Sequence, residues 1–401
     1  IVDVDEKSLA ELGRWPWPRD KMARLVEAIF QQQKALALGI DMVFAEPDTS
    51  SGLPVLEHLA QGPLATAPLF VAQMPKFREE LDYDGQFAQM LKRYPVALGY
   101  YFTSDREGRR SGQLPSPVMQ TQALQGRRVG FTTWDGYGAN LPLFAQAAPT
   151  AGFFNSLVSA DGVVRTIPLL AEYDGQYYES LALAMLRMVS GWPAVQPGFP
   201  AEGWVGRNYN HLASVDLHFK NGALMALPVD ERGATFVPYR GNGGPKGGAF
   251  TYYSASDVLQ GRLPEGSFKN KLVLLGTSTP SLLDLRTTPV GVAYPGVEVQ
   301  ANVLSGFLEG NVPVRPDYAL GYEVTVLLVL GVILALALPW LGTTGAGVLC
   351  ASLFLLTTGL NFWAYRSGHL VLPIASAWVL LALAFVLNAA YSYFVAHRAR
   401  R

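Results

Sequence analysis

The sequence predicts an α/β domain, a mixed sheet sandwiched by helices, joined to an all-α membrane-spanning region. Three observations predict it. Apolar runs of strand length alternate with helical spacing through the first 317 residues, hairpin-type turn signals punctuate the middle of the chain, and charges almost vanish after residue 317. Of 401 residues 50% are hydrophobic and 16% charged, below the roughly 25% charge of soluble chains, which points to a membrane portion. This apolar content excludes intrinsic disorder. A net charge of −1 leaves no basic field for nucleic acid. The single cysteine, Cys350, excludes a disulfide framework and a multi-cysteine metal site.

Residues 1–5 read as a strand, and Ser8 is placed to cap the short helix after it. Residues 19–34 carry Met22, Leu25, Val26, Ile29 and Phe30 at helical spacing. Residues 35–44 are a continuous apolar run, as in a strand buried on both faces. Strand, helix and strand in that order suggest a parallel βαβ unit. Residues 48–68 and 103–126 read as long surface insertions. Antiparallel pieces follow: 151–157 and 163–172 flank Ala160-Asp161-Gly162, a second turn is Tyr173-Asp174-Gly175-Gln176, and 215–219 and 224–229 flank Asn221-Gly222. Residues 180–189 are helical, 192–206 and the glycine-rich 239–248 are loops, 271–276 is a buried strand and 296–308 a final helix.

From Val324 to Tyr365, 42 consecutive residues lack Asp, Glu, Lys and Arg, and residues 370–396 are again uncharged. At about 20 residues per crossing, three spans are expected at 318–338, 345–365 and 371–395. The chain ends His397-Arg398-Ala399-Arg400-Arg401, so the positive-inside rule puts this end in the cytoplasm and residues before Tyr318 outside, with Arg366 as the one dissenting charge. The expected organisation is an extracytoplasmic domain at 1–317, a membrane region at 318–396 and the start of a cytoplasmic linker at 397–401. Ile1-Val2-Asp3-Val4 reads as a strand already under way, so an upstream membrane helix is expected, and further chemistry is expected beyond Arg401. Asn361 and Asn388, polar residues inside spans, are candidates for membrane-helix packing.

Many segments together resemble the second family of CHASE domains, extracytoplasmic sensory domains associated with cyclases and histidine kinases. They are Ile1-Val2-Asp3-Val4-Asp5-Glu6-Lys7-Ser8-Leu9, Gly13-Arg14-Trp15-Pro16-Trp17-Pro18-Arg19, Leu38-Gly39-Ile40-Asp41-Met42-Val43-Phe44-Ala45-Glu46-Pro47-Asp48 and Gly152-Phe153-Phe154-Asn155 with Asp161-Gly162-Val163-Val164-Arg165. Pro238-Tyr239-Arg240-Gly241, Ser256-Asp257-Val258-Leu259, Leu272-Val273-Leu274-Leu275-Gly276-Thr277-Ser278 and Pro295-Gly296-Val297-Glu298-Val299-Gln300-Ala301 complete the set. The resemblance implies a multi-pass protein of the bacterial inner membrane that senses outside and regulates a cytoplasmic output domain. A class III adenylate or guanylate cyclase ranks first, then a diguanylate cyclase, a histidine kinase or a Ser/Thr kinase. It also implies a homodimer with an extracytoplasmic ligand or protein partner. No cofactor is expected in these residues; a cyclase output would use a nucleotide and a divalent metal. A membrane-anchored extracytoplasmic binding protein is the alternative.

The candidate ligand residues are Asp3, Asp5, Trp17, Arg19, Asp41, Glu46, Asp48, Tyr239 and Arg240. Asp3 and Asp5 lie two apart on one strand face, Asp41 is in the second buried strand, and Glu46 and Asp48 follow its carboxyl end, where open α/β sheets bind ligands. A carboxylate pocket for a cation or amine competes with the more ordinary outcome, in which these acids pair with Arg19 or Arg14 or cap turns. Trp17 offers either a ligand wall or a packed wedge, and Tyr239-Arg240 with the following glycines either an anion nest or a plain turn. Thr277-Ser278-Thr279, with Asp284 and Arg286 nearby, has no nucleophile elbow and no adjacent base, so hydrolysis is disfavoured. No catalytic residue is assigned, and no metal ligand is identified.

Overall fold

The computed structural model describes residues 1–104, 107–200, 211–282 and 284–399, with the backbone alone at 281 and 395–399. The chain divides into two compact units, Ile1–Gly310 and Asn311–Arg401. In the first, six strands run parallel: β1 (Val2–Asp3), β2 (Ala37–Ile40), β3 (Val96–Thr103), β4 (Thr150–Phe153), β5 (Tyr253–Ser254) and β6 (Leu272–Gly276). Their order is β5-β1-β6-β2-β3-β4. The end of β3 also takes an antiparallel partner, Gly136–Gly138, which pairs with Arg110–Ser111, so the sheet is mixed.

The expected βαβ unit is parallel, but its two strands are not neighbours. β6 lies between them, with Leu275 opposite Val2 on one side and Ile40 on the other. The helices of this unit are α1 (Glu6–Leu12), α2 (Arg19–Glu27), α3 (Leu53–Gln61), α4 (Pro68–Leu81), α5 (Tyr83–Arg93), α6 (Pro142–Ala147), α7 (Leu181–Val189), α8 (Ala255–Leu259) and α9 (Gly296–Glu309). One π-helical turn, Ala28–Gln32, prolongs α2. Leu38 and Ile40 of β2 join Met22, Leu25 and Ile29 and Leu91 of α5 in one buried cluster.

Residues between those positions face the opposite side, and there glycine is required. A Cβ at Gly39 would come within 2.3 Å of the Met185 sulfur, at Gly152 within 2.5 Å of the Leu181 backbone, and at Gly276 within 2.4 Å of Val297. Three bare positions therefore let α7 and α9 lie directly on the sheet, and α2 and α5 cover its other face.

Several local readings are corrected. Helix α1 is capped by Asp5 rather than Ser8, whose amide donates to the Asp5 carboxylate at 2.8 Å. The 48–68 insertion contains α3, which has no buried residue and packs mainly on α4. The segment expected as a loop at 192–206 includes a strand, Ala194–Gly198, paired with Ser214–His218; residues 201–206 lie outside the described residues. Hairpins form at Asp161-Gly162, Asp174-Gly175 and Asn221-Gly222 as expected, with Gly162 at φ 80° and Gly222 at φ 83°.

The second unit contains α10 (Ala319–Ala337), α11 (Thr343–Gly368) and α12 (Ala375–Ala399). The three candidate spans have mean hydropathies of 2.3, 1.6 and 1.7. Residues 371–374 stay outside α12, and Pro373 there has no amide to give to a helix. Leu330, Leu334, Cys350, Leu353, Ala377 and Leu381 form the bundle interior. Asn361 donates its side-chain amide to the Leu372 carbonyl at 3.1 Å, while Asn388 Oδ1 is enclosed without a hydrogen bond among the described residues.

Gly152→Ala should lower the unfolding free energy by about 1–3 kcal/mol, because the backbone of α7 must move to admit the methyl group. Gly130→Ala, whose Cβ meets nothing within 4 Å, should shift it by no more than about 0.5 kcal/mol. Denaturant titration of the chain in detergent checks both.

Candidate functional site

The strand order reverses around β6: β2, β3 and β4 wind out to one side and β5 lies on the other. In parallel sheets the crevice beyond the carboxyl ends at such a point is the usual ligand site. Here β1 ends in Asp3, β6 leads into Thr277-Ser278-Thr279, and β2 leads into Asp41.

Asp3 and Asp5 serve different partners, because the strand ends between them and α1 begins. Buried Asp3 accepts from the Ser278 amide at 2.8 Å and from its hydroxyl. Burial raises its pKa, and the two Ser278 bonds restrain the rise. Asp5 accepts from the Ser254 hydroxyl at 2.8 Å besides capping α1. The Thr277 hydroxyl donates to the Val4 carbonyl at 3.0 Å. Both acids thus tie β1 to its neighbours, and the Ser278 hydroxyl is committed to a carboxylate.

The Trp15-to-Arg19 segment packs as a wedge. Trp17 is buried, with its indole N–H donating to the Gly13 carbonyl at 2.8 Å. Arg19 lies 4.7 Å over the Phe44 ring and donates to the carbonyls of Trp17 (3.2 Å) and Glu46 (3.3 Å). Its amide donates to Asp48 at 2.6 Å, and Asp84 stands 3.9 Å from its Nε. The Asp48 amide donates to Asp84 at 3.0 Å. Burial pushes Arg19 down, opposed by Asp84, Asp48 and Glu46. Asp48 is pushed up by burial but held below its usual range by bonds from Ser50 and Arg19. Glu46 is exposed; its carbonyl takes the hydrogen bond from Arg19, and its carboxylate acts on Arg19 only through its charge. Asp84, the acid that answers Arg19, carries no sequence signal beyond the first turn of a helix.

Tyr239 and Arg240 belong to another cluster. Fully buried Glu298, in the first turn of α9, accepts from the Gly244 amide and from the hydroxyls of Tyr252 (2.6 Å) and Tyr294 (3.1 Å). Tyr239 donates to the Val164 carbonyl at 2.9 Å, the Arg240 amide donates to Asn302 at 3.1 Å, and its guanidinium pairs with Glu309. The Gly244 amide of the glycine loop therefore already holds an anion, the carboxylate of Glu298.

Asp41 differs from all of these. Its carboxylate has no hydrogen bond among the described residues, and the residue is half-buried just past the end of β2. Burial, and then Asp284, raise its pKa well above the usual range, with Arg286 pulling it back. Asp284 pairs with Arg286 at 3.0 Å and is pushed up to about 6 by burial, which Arg286 opposes. The Asp284 carboxyl group lies against Gly296, the first residue of α9; a Cβ there would sit 2.5–2.8 Å from its atoms. The Gly296 amide donates to the Asp284 carbonyl at 2.9 Å.

In the sequence Asp284 and Arg286 register only as neighbours of Ser278; what joins them to Asp41 is the entry of β6 beside β2. Among the described residues no group of three His, Cys, Asp or Glu side chains could hold a metal ion. A separate cavity of ≈ 380 Å³ opens between Val2, Leu272, Leu274, Leu304 and Leu308, and none of the nine candidate ligand residues lines it.

A family model described as the CHASE2 domain matches residues 1–338, the first unit together with the first apolar helix. No curated protein and no solved structure matches.

Arg19→Met should destabilise the first unit by about 1–3 kcal/mol, because it removes the guanidinium bonds to the Trp17 and Glu46 carbonyls and the positive charge facing Asp84; double replacement with Asp84→Asn should recover part of the loss in the same unfolding titration. Because the folded-state pKa of Asp284 lies at about 6, above the ordinary 3.8, the fold favours its protonated form. That contribution is fully present below about pH 4 and is lost as pH rises through about 6, at most about 3 kcal/mol. Asp284→Asn should flatten this stretch of the stability–pH curve.

Proposed function

The chain belongs to the CHASE2 family, and on that footing we propose that it is the sensory input and membrane-coupling part of a bacterial transmembrane receptor. The observation that carries this reading is a CHASE2 match over 1–338 followed without interruption by helices long and apolar enough to cross a membrane. The arginines at 398, 400 and 401 support a cytoplasmic end and therefore a first unit outside the inner membrane. Stimulus binding at the carboxyl edge of the sheet would favour one of two packings of the first unit, and the spans would carry the difference inward. The output we propose is a nucleotide cyclase, with a diguanylate cyclase or a kinase next in order. Such outputs act in pairs, so the receptor is proposed to be a homodimer. The nucleotide and divalent metal belong to that output domain.

The test is output activity of the intact protein in membranes against a panel of small molecules and ions. A true stimulus should change activity by about tenfold, and Asp41→Ala should reduce the response. An output indifferent to every stimulus, with a wild-type profile in Asp41→Ala, sinks the reading.

A further inference from the structure

We propose that the cavity between α9 and the amino ends of β1, β5 and β6 is a binding site for a small apolar molecule with one anionic head, of which an arylalkyl carboxylate is the simplest. This goes beyond the sensory reading above and does not rest on it. The crevice considered there lies at the carboxyl ends of the same strands.

The walls come from separate parts of the chain. Ala301, Leu304, Ser305 and Leu308 recur at helical spacing and turn one face of α9 into the space. Val2, Phe268, Leu274 and Leu304 form an apolar floor, each no more than 5% exposed. The strand wall is already paired, since the Ile1 nitrogen donates to the Thr251 carbonyl at 2.8 Å and the Tyr253 amide to the Ile1 carbonyl at 2.9 Å. That part of the wall therefore offers apolar contact. At ≈ 380 Å³ the volume falls within the about 300–1,000 Å³ typical of small-molecule sites, which are mainly apolar with a few polar groups to orient the ligand.

The rim supplies the sign of the head group. Thr251, Asn270 and Lys271 are exposed there, and no Asp or Glu lines the cavity. The Lys271 ammonium donates to the Ser267 carbonyl at 2.9 Å and pairs with no acid among the described residues. Glu309, the acid that follows Leu308, is paired with Arg240. The carboxyl end of α9 contributes about half a negative charge, which a full ammonium outweighs. Exposed Leu308 gives the body of the ligand an apolar edge to cover. Helix α9 ends at Glu309 and α10 begins at Ala319, so a ligand against Leu304 and Leu308 braces the last turns of the helix that precedes the first candidate span.

The test uses the full chain in lipid nanodiscs, with empty nanodiscs as the blank. Calorimetric titration compares phenylbutyrate with phenylbutyramide, which has the same body and no charge, and hydrogen exchange follows residues 268–274 and 301–308. Phenylbutyrate should bind saturably with a Kd of about 1 mM or lower, protect both segments, and bind about three- to fivefold more tightly than the amide. Lys271→Gln should erase that preference and Lys271→Arg should keep it. Ser305→Trp, at a half-buried lining position, should fill the space and weaken both probes by about tenfold or more. Lys271→Gln leaves the floor intact, so it reads the head group even where Ser305→Trp fails to fold. No binding above the blank, an amide bound as tightly as the acid, a preference that survives Lys271→Gln, or protection confined to other segments overturns the proposal. So does protection of both segments without probe when two chains share a nanodisc, which would assign this face to a second copy.

Discussion

Everything in the first unit depends on the closing of the sheet by β6. Until Leu272–Gly276 arrives, β1 and β2 each present an edge of unpaired backbone groups toward one another. Afterwards the Val4 amide donates to Gly276 and the Asp41 amide to Leu275, at 2.9 and 2.8 Å. Peptide groups buried without partners are costly enough that this pairing is obligatory. The same insertion separates the acids of β1 from the acid of β2. It also means that the strand completing the core runs on through Asp284 and Arg286 into α9 and then out of the unit.

Most of the acids that stand out in the sequence turn out to serve backbone amides. Asp3, Asp5, Asp48 and Glu298 each accept at least one main-chain N–H, because the carboxyl ends of parallel strands are followed by turns whose amides have no ladder partner. Asp41 is left over, since the amide of the loop beside it, at Ser278, is aimed at Asp3. A leftover carboxylate at the mouth of a sheet differs chemically from a cap. Asp41 is fixed by no hydrogen bond among the described residues, and its carboxyl is raised first by burial and then by the charge of Asp284, with Arg286 opposing.

What was legible in the sequence was local. The buried run around Leu38, the helices starting near Arg19, Ser180 and Gly296, the hairpins at Asp161-Gly162 and Asn221-Gly222, and the two uncharged stretches that hold the three spans all follow from composition, periodicity or turn chemistry read along the chain. The strand β3 and helices α4 and α5 are not singled out by such patterns; α4 even contains Pro75. The cap on α1 was misplaced by three residues because Ser8 and Asp5 are equally good capping side chains, and only the meeting with Ser254 and Ser256 decides between them. The influence of the Asp284 charge on Asp41 was hidden for a stronger reason. It spans more than two hundred residues and exists only because the last strand is inserted between the first two.

The knot at Arg19 closes the base of an excursion. Asp48 and Asp84, 36 positions apart, are hydrogen-bonded to each other, and the chain between them includes α3 with nothing buried and α4 with Met74 alone. A loop pinned at its stem contributes a closure entropy that varies only slowly with its length. The length of this stretch is therefore nearly free of the core. Evolution, or an engineer, can lengthen, shorten or replace it as a cassette, provided that the two aspartates at its ends still find each other.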